Sequence, residues 1–205
     1  MRLGILVSGR GSNMKAILEA RRNGKLPNVE PVVVLSNKED APALGIAKEF
    51  GVEAIFLDSR PYKGNREGYD QKLLEVLKKR EVDFIALAGF MRIISKLMLD
   101  AFPNRIVNIH PALLPSFPGL HAQKQAIDYG VKISGCSVHF VDFGVDTGPI
   151  ILQAAVPILD TDDEETLSAR ILKFEHVLYP KALDLISRGK VKIDGRRVFI
   201  EDDED

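Results

Sequence analysis

Leu3-Gly4-Ile5-Leu6-Val7-Ser8-Gly9-Arg10-Gly11-Ser12-Asn13 runs from an unbroken apolar segment into a glycine-rich loop, and Met14, Ile17 and Leu18 follow it at helical spacing. An uninterrupted apolar, β-branched run suggests a strand covered on both faces, while a spacing of three and four marks one face of a helix. Working outward, runs of the same kind recur at 31–35, 54–57, 84–87 and 106–109. Between two of them, Tyr69, Leu73, Val76 and Leu77 repeat the helical spacing. This β-α-β-α alternation predicts an α/β fold on a parallel sheet with right-handed crossovers.

After His121 the texture changes. Segments 134–141 and 150–156 read as two strands joined by the loop 142–149 without a helix, which predicts an antiparallel pair appended to the sheet. Thr161, Asp162 and Asp163 then offer acceptors for a helix start, and Leu167, Ile171, Phe174, Leu178, Ala182 and Leu185 form the expected apolar stripe of a long helix bent at Pro180. Segment 191–200 reads as a small hairpin turning at Asp194 and Gly195, and the acidic tail 201–205 is expected to be solvated and disordered.

Composition narrows the function classes. The 205 residues carry a net charge of -1, and no Lys/Arg run resembles a nucleic-acid tail or a membrane-binding patch, so nucleic acid is not an expected partner. No segment approaches the ~20 apolar residues of a membrane span, and no apolar leader precedes the first loop, so a cytoplasmic location is expected. The single cysteine, Cys136, excludes an internal disulfide and reads as a small buried hydrophobe in a strand. His110, His121, His139 and His176 lack metal-ligand spacing, and no metal is expected.

Two places carry chemistry. The loop from Ser8 to Asn13 joins a buried strand to a helix, where exposed N–H groups and the helix dipole favour a phosphate. It is neither a P-loop nor a dinucleotide fingerprint, and a plain tight turn capped by Ser12 or Asn13 is an equal reading of these residues alone. In Ile106-Val107-Asn108-Ile109-His110-Pro111, period two puts Asn108 and His110 on one side of a strand that Pro111 ends. A histidine there suits proton transfer at neutral pH, and an adjacent amide can hold an oxyanion. Asp146, in a loop with two glycines, would raise the pKa of His110 and orient it if the fold brings them together; an ordinary Asp-rich turn is the competing reading. No Ser or Cys completes a nucleophile with His110, so the arrangement suits direct attack by an amine held beside a carbonyl.

Taken together, Ser8 to Asn13, Ala88-Gly89-Phe90-Met91-Arg92-Ile93-Ile94, Asn108 to Pro115, Pro118-Gly119-Leu120-His121, Ser137 to Val141, Asp146-Thr147-Gly148-Pro149 and Glu175-His176 resemble the folate-dependent formyltransferase family, in particular the phosphoribosylglycinamide formyltransferases of de novo purine synthesis. The motifs stand in family order over nearly the whole chain. The resemblance implies a seven-stranded, Rossmann-like, mostly parallel sheet with helices on both faces and an antiparallel C-terminal part. It implies one domain over 1–205, with a nucleotide-binding half at 1–110, a catalytic and folate-binding half at 111–189, and a hairpin with acidic tail at 190–205.

By motif match, Gly11, Ser12 and Asn13 would hold a substrate phosphate and Glu175 the glycinamide or ribose. Arg66, Met91, Arg92, Ile93 and Ile94 would line the folate site with Asp142, Phe143, Gly144 and Val145. Asn108, His110 and Asp146 would carry catalysis, with 10-formyltetrahydrofolate as the formyl donor. The expected partners are small molecules, with a homodimer as the candidate assembly. A formyltetrahydrofolate hydrolase usually has a preceding regulatory domain, and a tRNA formyltransferase a basic C-terminal domain; both are disfavoured by the chain's length. A noncatalytic folate- or nucleotide-binding module is the remaining alternative, against which stand Asn108, His110 and Asp146. Cys136 departs from the pattern, standing where a small polar residue is usual.

Overall fold

The computed structural model describes residues 1–201, and the remainder of the acidic tail, expected to be disordered, lies outside them. Two compact units emerge: Met1–Asn108, and the chain from Ile109 onward. A seven-stranded sheet runs in the order β3-β2-β1-β4-β5-β6-β7, and a separate two-stranded sheet is β8-β9.

In the first unit β1 is Arg2–Val7, with Leu3, Ile5, Leu6 and Val7 at 0% exposure. Because neighbouring side chains on a strand point to opposite faces, burial of successive residues means that both faces are covered. Parallel pairing joins β1 to β2 (Glu30–Ser36) and to β4 (Phe84–Leu87), β2 to β3 (Glu53–Phe56), and β4 to β5 (Ile106–His110). The sequence reading of doubly covered strands holds for β1 and β4. It fails for β3, which is half-buried because it forms the edge of the sheet.

Helix α1, Ser12–Arg22, buries Met14, Ile17, Leu18 and Ala20. Its N-cap is Gly11, in the left-handed region at φ 74°, which has no side chain to cap with. Gly11 is required twice over: a side chain there would adopt an unfavourable φ, and its Cβ would lie 2.6 Å from that of Ala43 in α2, Pro42–Glu49. Helix α3, Arg66–Lys79, starts at Asn65, whose side chain accepts from Gly68 N–H at 2.9 Å. Tyr69, fully buried on this helix, donates its hydroxyl to the carbonyl of Leu57. A short helix α4, Lys96–Ala101, precedes β5.

The second unit holds α5, Ala122–Tyr129, and the antiparallel pair β6 (Ile133–Phe140) and β7 (Ile150–Pro157). Helix α6, Glu164–Ser187, starts with a reciprocal cap in which Thr166 N–H bonds the Asp163 carboxylate and Asp163 N–H bonds the Thr166 hydroxyl. The helix continues through Pro180. Cys136, Val156, Leu167 and Ile171 form a buried apolar cluster in this unit. The buried face of α6 corrects the expected stripe: Phe174 is exposed, while Glu175 and Tyr179 are buried. The strands β8, Val191–Asp194, and β9, Arg197–Ile200, form the expected hairpin, with its two-residue turn at Gly195 and Arg196, one position later than read.

Candidate active site

In the first unit Ser8 ties three loops together. Its hydroxyl donates to Asn37 Oδ1 at 2.6 Å and accepts from Met91 N–H at 2.8 Å, while its own N–H donates to the Gly89 carbonyl. The loop that opens α1 and the 89–95 segment are therefore held by one buried residue. Beyond it, Gly11, Ser12 and Asn13 form the cap and first turn of α1, the end of a helix whose N–H groups lack intrahelical acceptors and whose dipole favours an anion.

The 89–95 segment does not behave as plain core. Met91 and Ile93 are 63% and 48% exposed, whereas Ile94 is buried. The Arg92 guanidinium lies over the Tyr69 ring at 4.5 Å. Ser95 N–H donates to the buried carboxylate of Asp70 at 2.7 Å, and burial raises that carboxyl above its usual range despite the Ser95 bonds and the nearby Arg92. Arg66 stands exposed at the first position of α3. Asn108, half-buried, closes this unit two residues before His110 on β5.

In the second unit the loop after β6 brings Asp146 to His110. His110 Nδ1 lies 3.3 Å from Asp146 Oδ2, and its Nε2 lies 2.8 Å from the Phe117 carbonyl oxygen. Sequence reasoning missed the third member. His139, 2% exposed on β6, places Nε2 at 3.5 Å from Asp146 Oδ1 and Nδ1 at 2.8 Å from the Phe140 carbonyl. Its signal was its place in the quoted Ser137 to Val141 motif, but only loop closure pairs it with Asp146. The N–H of Gly119 also donates to the carboxylate, at 2.9 Å.

Asp146 holds this position with φ 54°, a conformation that costs a residue with a Cβ about 1 kcal/mol or more. Asp142, next to β6, accepts from Gly144 N–H and the Thr147 hydroxyl and so folds the loop on itself. Phe143 and Val145 on that loop are exposed.

Burial dominates the titration of His110 and lowers its pKa below the ordinary histidine value; the charge of Asp146 and the Phe117 carbonyl oppose it but do not win. This corrects the expectation of a raised pKa, because the carboxylate's effect was legible in sequence while the depth of burial was not. For Asp146 the balance is reversed. Burial would raise its carboxyl, but the His139 hydrogen bond, the Gly119 N–H and the two imidazoles hold it low. A neutral His110 can donate to only one of its two acceptors and an imidazolium to both, so the ring is set up to exchange a proton.

Glu175 is 5% exposed on α6. Its charge adds to burial in pushing the Cys136 thiol up to about 12, which keeps that cysteine an inert core residue as read. His121, by contrast, is exposed and pairs with Glu164 at 3.0 Å. Among the described residues, no group of three or more His, Cys, Asp or Glu side chains is arranged to hold a metal ion, and no helix is long and apolar enough to cross a membrane.

The sequence model of the formyl transferase family matches residues 1–183. The chain belongs to the formyl transferase family. Among related formyl transferases, it is 38% identical over 201 residues to the phosphoribosylglycinamide formyltransferase of Escherichia coli (strain K12), covering 98% of this chain and 94% of that one. It is 47% identical over 193 residues to the trifunctional purine biosynthetic protein adenosine-3 of Drosophila melanogaster, covering 94% of this chain but spanning only 14% of that protein's length. The crystal structure of glycinamide ribonucleotide transformylase 1 from Symbiobacterium toebii matches with a TM-score of 0.96 and 51% identity, covering 98% of this chain and 94% of that one. The family resemblance read from the motifs and the mostly parallel α/β sheet are both borne out.

Proposed function

We propose that this formyl transferase moves the formyl group of 10-formyltetrahydrofolate to the amine of glycinamide ribonucleotide, giving formylglycinamide ribonucleotide and tetrahydrofolate, as a cytoplasmic enzyme of de novo purine synthesis. The observation that carries the reading is the buried His110–Asp146 pair, held by a backbone carbonyl on one side and His139 on the other.

Transfer requires the amine nitrogen to bond the formyl carbon and the bond from that carbon to the folate nitrogen to break. One proton leaves the amine and one arrives at the departing nitrogen. With its pKa lowered by burial, His110 is neutral at pH 7 and able to take a proton; Asp146 stabilises the imidazolium that forms and lets it pass the proton on. Nδ1 is committed to Asp146, so Nε2 is the atom that faces substrate, and the Phe117 carbonyl gives way as substrate enters. The side-chain amide of Asn108 steadies the oxyanion.

Gly11, Ser12 and Asn13 hold the nucleotide phosphate at the start of α1. Glu175 contacts the glycinamide or ribose; a carboxylate on the apolar face of a helix has a task other than solvation. For the folate, Met91 and Ile93 in the first unit and Phe143 and Val145 in the second are exposed apolar side chains that suit stacking, and Arg66, Arg92, Ile94, Asp142 and Gly144 are assigned to the same ligand by motif match alone.

The deciding experiment follows folate absorbance with purified protein, with and without glycinamide ribonucleotide. Transfer that needs the ribonucleotide and falls about 10²–10⁴-fold in His110→Ala supports the reading. Equal deformylation without the ribonucleotide makes the protein a hydrolase.

A further inference from the structure

The hairpin β8–β9 lies beyond residues 1–183 matched by the family's sequence model, yet a residue of its turn reaches back to the loop that carries Asp146. Arg196 Nη2 donates to the carbonyl oxygen of Thr147 at 2.7 Å. Thr147 directly follows Asp146, and β9 packs against β7, the strand into which the loop leads.

We propose that Arg196 is a positioning residue, fixing the 142–148 loop from outside so that Asp146 stays in register with His110 and His139. This rests on the formyl-transfer reading above for its catalytic consequence, though the tether itself does not.

The loop needs such a brace. Asp146 sits at φ 54°, where a residue with a Cβ is unfavourable, and relaxing that angle would swing the carboxylate away from the two imidazoles. The internal hydrogen bonds from Gly144 and Thr147 to Asp142 shape the first part of the loop. At its far end Gly148 presses against the Phe140 carbonyl, leaving no room for a side chain. The Arg196 bond acts between these points, on the Thr147–Gly148 peptide one residue beyond Asp146, and a guanidinium donor makes it a charge-assisted bond. Nothing else in the hairpin is asked to do chemistry; its contribution is to present a fixed donor.

Arg196 is an exposed turn residue, so truncating it leaves the core of the unit intact. The full chain with Arg196→Ala and with Arg196→Lys is compared with the unaltered protein by amide hydrogen exchange and by steady-state formyl transfer. In Arg196→Ala, exchange at 143–148 is expected to speed by roughly five- to tenfold, the loss of one hydrogen bond from a charged donor, with β6 and β7 unchanged. The kcat falls by a similar factor, because Asp146 loosens beside His110, and the KM for 10-formyltetrahydrofolate rises with it while that for the ribonucleotide stays put. Arg196→Lys, which retains a charged donor, recovers part of both effects.

Unchanged loop exchange in Arg196→Ala overturns the tether. An equal rise in both KM values overturns the positioning role and leaves a merely structural one. If the unaltered protein transfers no formyl group while Arg196→Ala still loosens the loop, the tether stands and the functional reading falls.

Discussion

Asp146 serves two histidines at once, and the pH behaviour of the site follows from that. Its Oδ2 faces His110 and its Oδ1 faces His139, and the His139 bond is foremost among the interactions that hold the carboxyl low. His139 also lowers the pKa of His110 by like charge, in addition to the larger effect of burial. If His110 accepts the amine's proton as proposed, it must be neutral to do so, and the acid limb of kcat/KM is expected below pH 6.5. Replacing His139 removes a support of the carboxylate and a charge that opposes imidazolium, so both pKa values rise. His139→Ala should therefore move the acid limb upward and lower kcat by about tenfold, measured as a pH–rate profile; a limb that stays in place refutes the role of His139. Asn108, His110 and Asp146 were legible in the sequence because the motif residues and the strand end mark them. His139 was legible only through its place in the Ser137 to Val141 motif, not as a partner of Asp146, and the sign of the His110 shift was hidden, because burial is set by the finished fold.

At the scale of elements, the strands were read well where apolar runs are long and less well where sheet position decides. Nothing in residues 54–57 says that β3 is an edge. Helix α6 is the instructive error: counting only apolar residues carried the stripe through the exposed Phe174, whereas the buried positions step by four through Leu167, Ile171, Glu175 and Tyr179, with Leu178 partly buried against the same cluster. A carboxylate and a phenol interrupt the apolar count but not the geometry. The two readings differ in what substitution costs. Phe174→Ser is expected to change stability by less than about 0.5 kcal/mol, and Ile171→Ala, in the core with Cys136 and Leu167, to cost about 2–5 kcal/mol in denaturant unfolding. If Phe174→Ser proves the costlier, the helix face described here is wrong.

For the whole molecule, the two units carry buried titratable groups of opposite sign. In the second unit, burial lowers His110 below 6.5, so the unfolded chain takes up that proton first as the pH falls. Stability tied to the neutral ring is complete above 6.5 and is lost as the pH drops from there toward the folded pKa. Asp146, with its carboxyl held below 3.8, adds a second loss at lower pH. In the first unit, burial raises Asp70 above 3.8, so here the folded state takes up the proton first, and stability grows as the pH falls from the folded pKa toward 3.8. Acidification from pH 7.5 to 4.5 should therefore loosen the second unit before the first. Amide exchange corrected for intrinsic rates would show protection falling in β6 and α6 while α3 keeps or gains it. His110→Asn should flatten the change in the second unit, since it removes the group that titrates near neutrality. Equal losses in both units, or a slope untouched by His110→Asn, would mean that other groups govern the acid response.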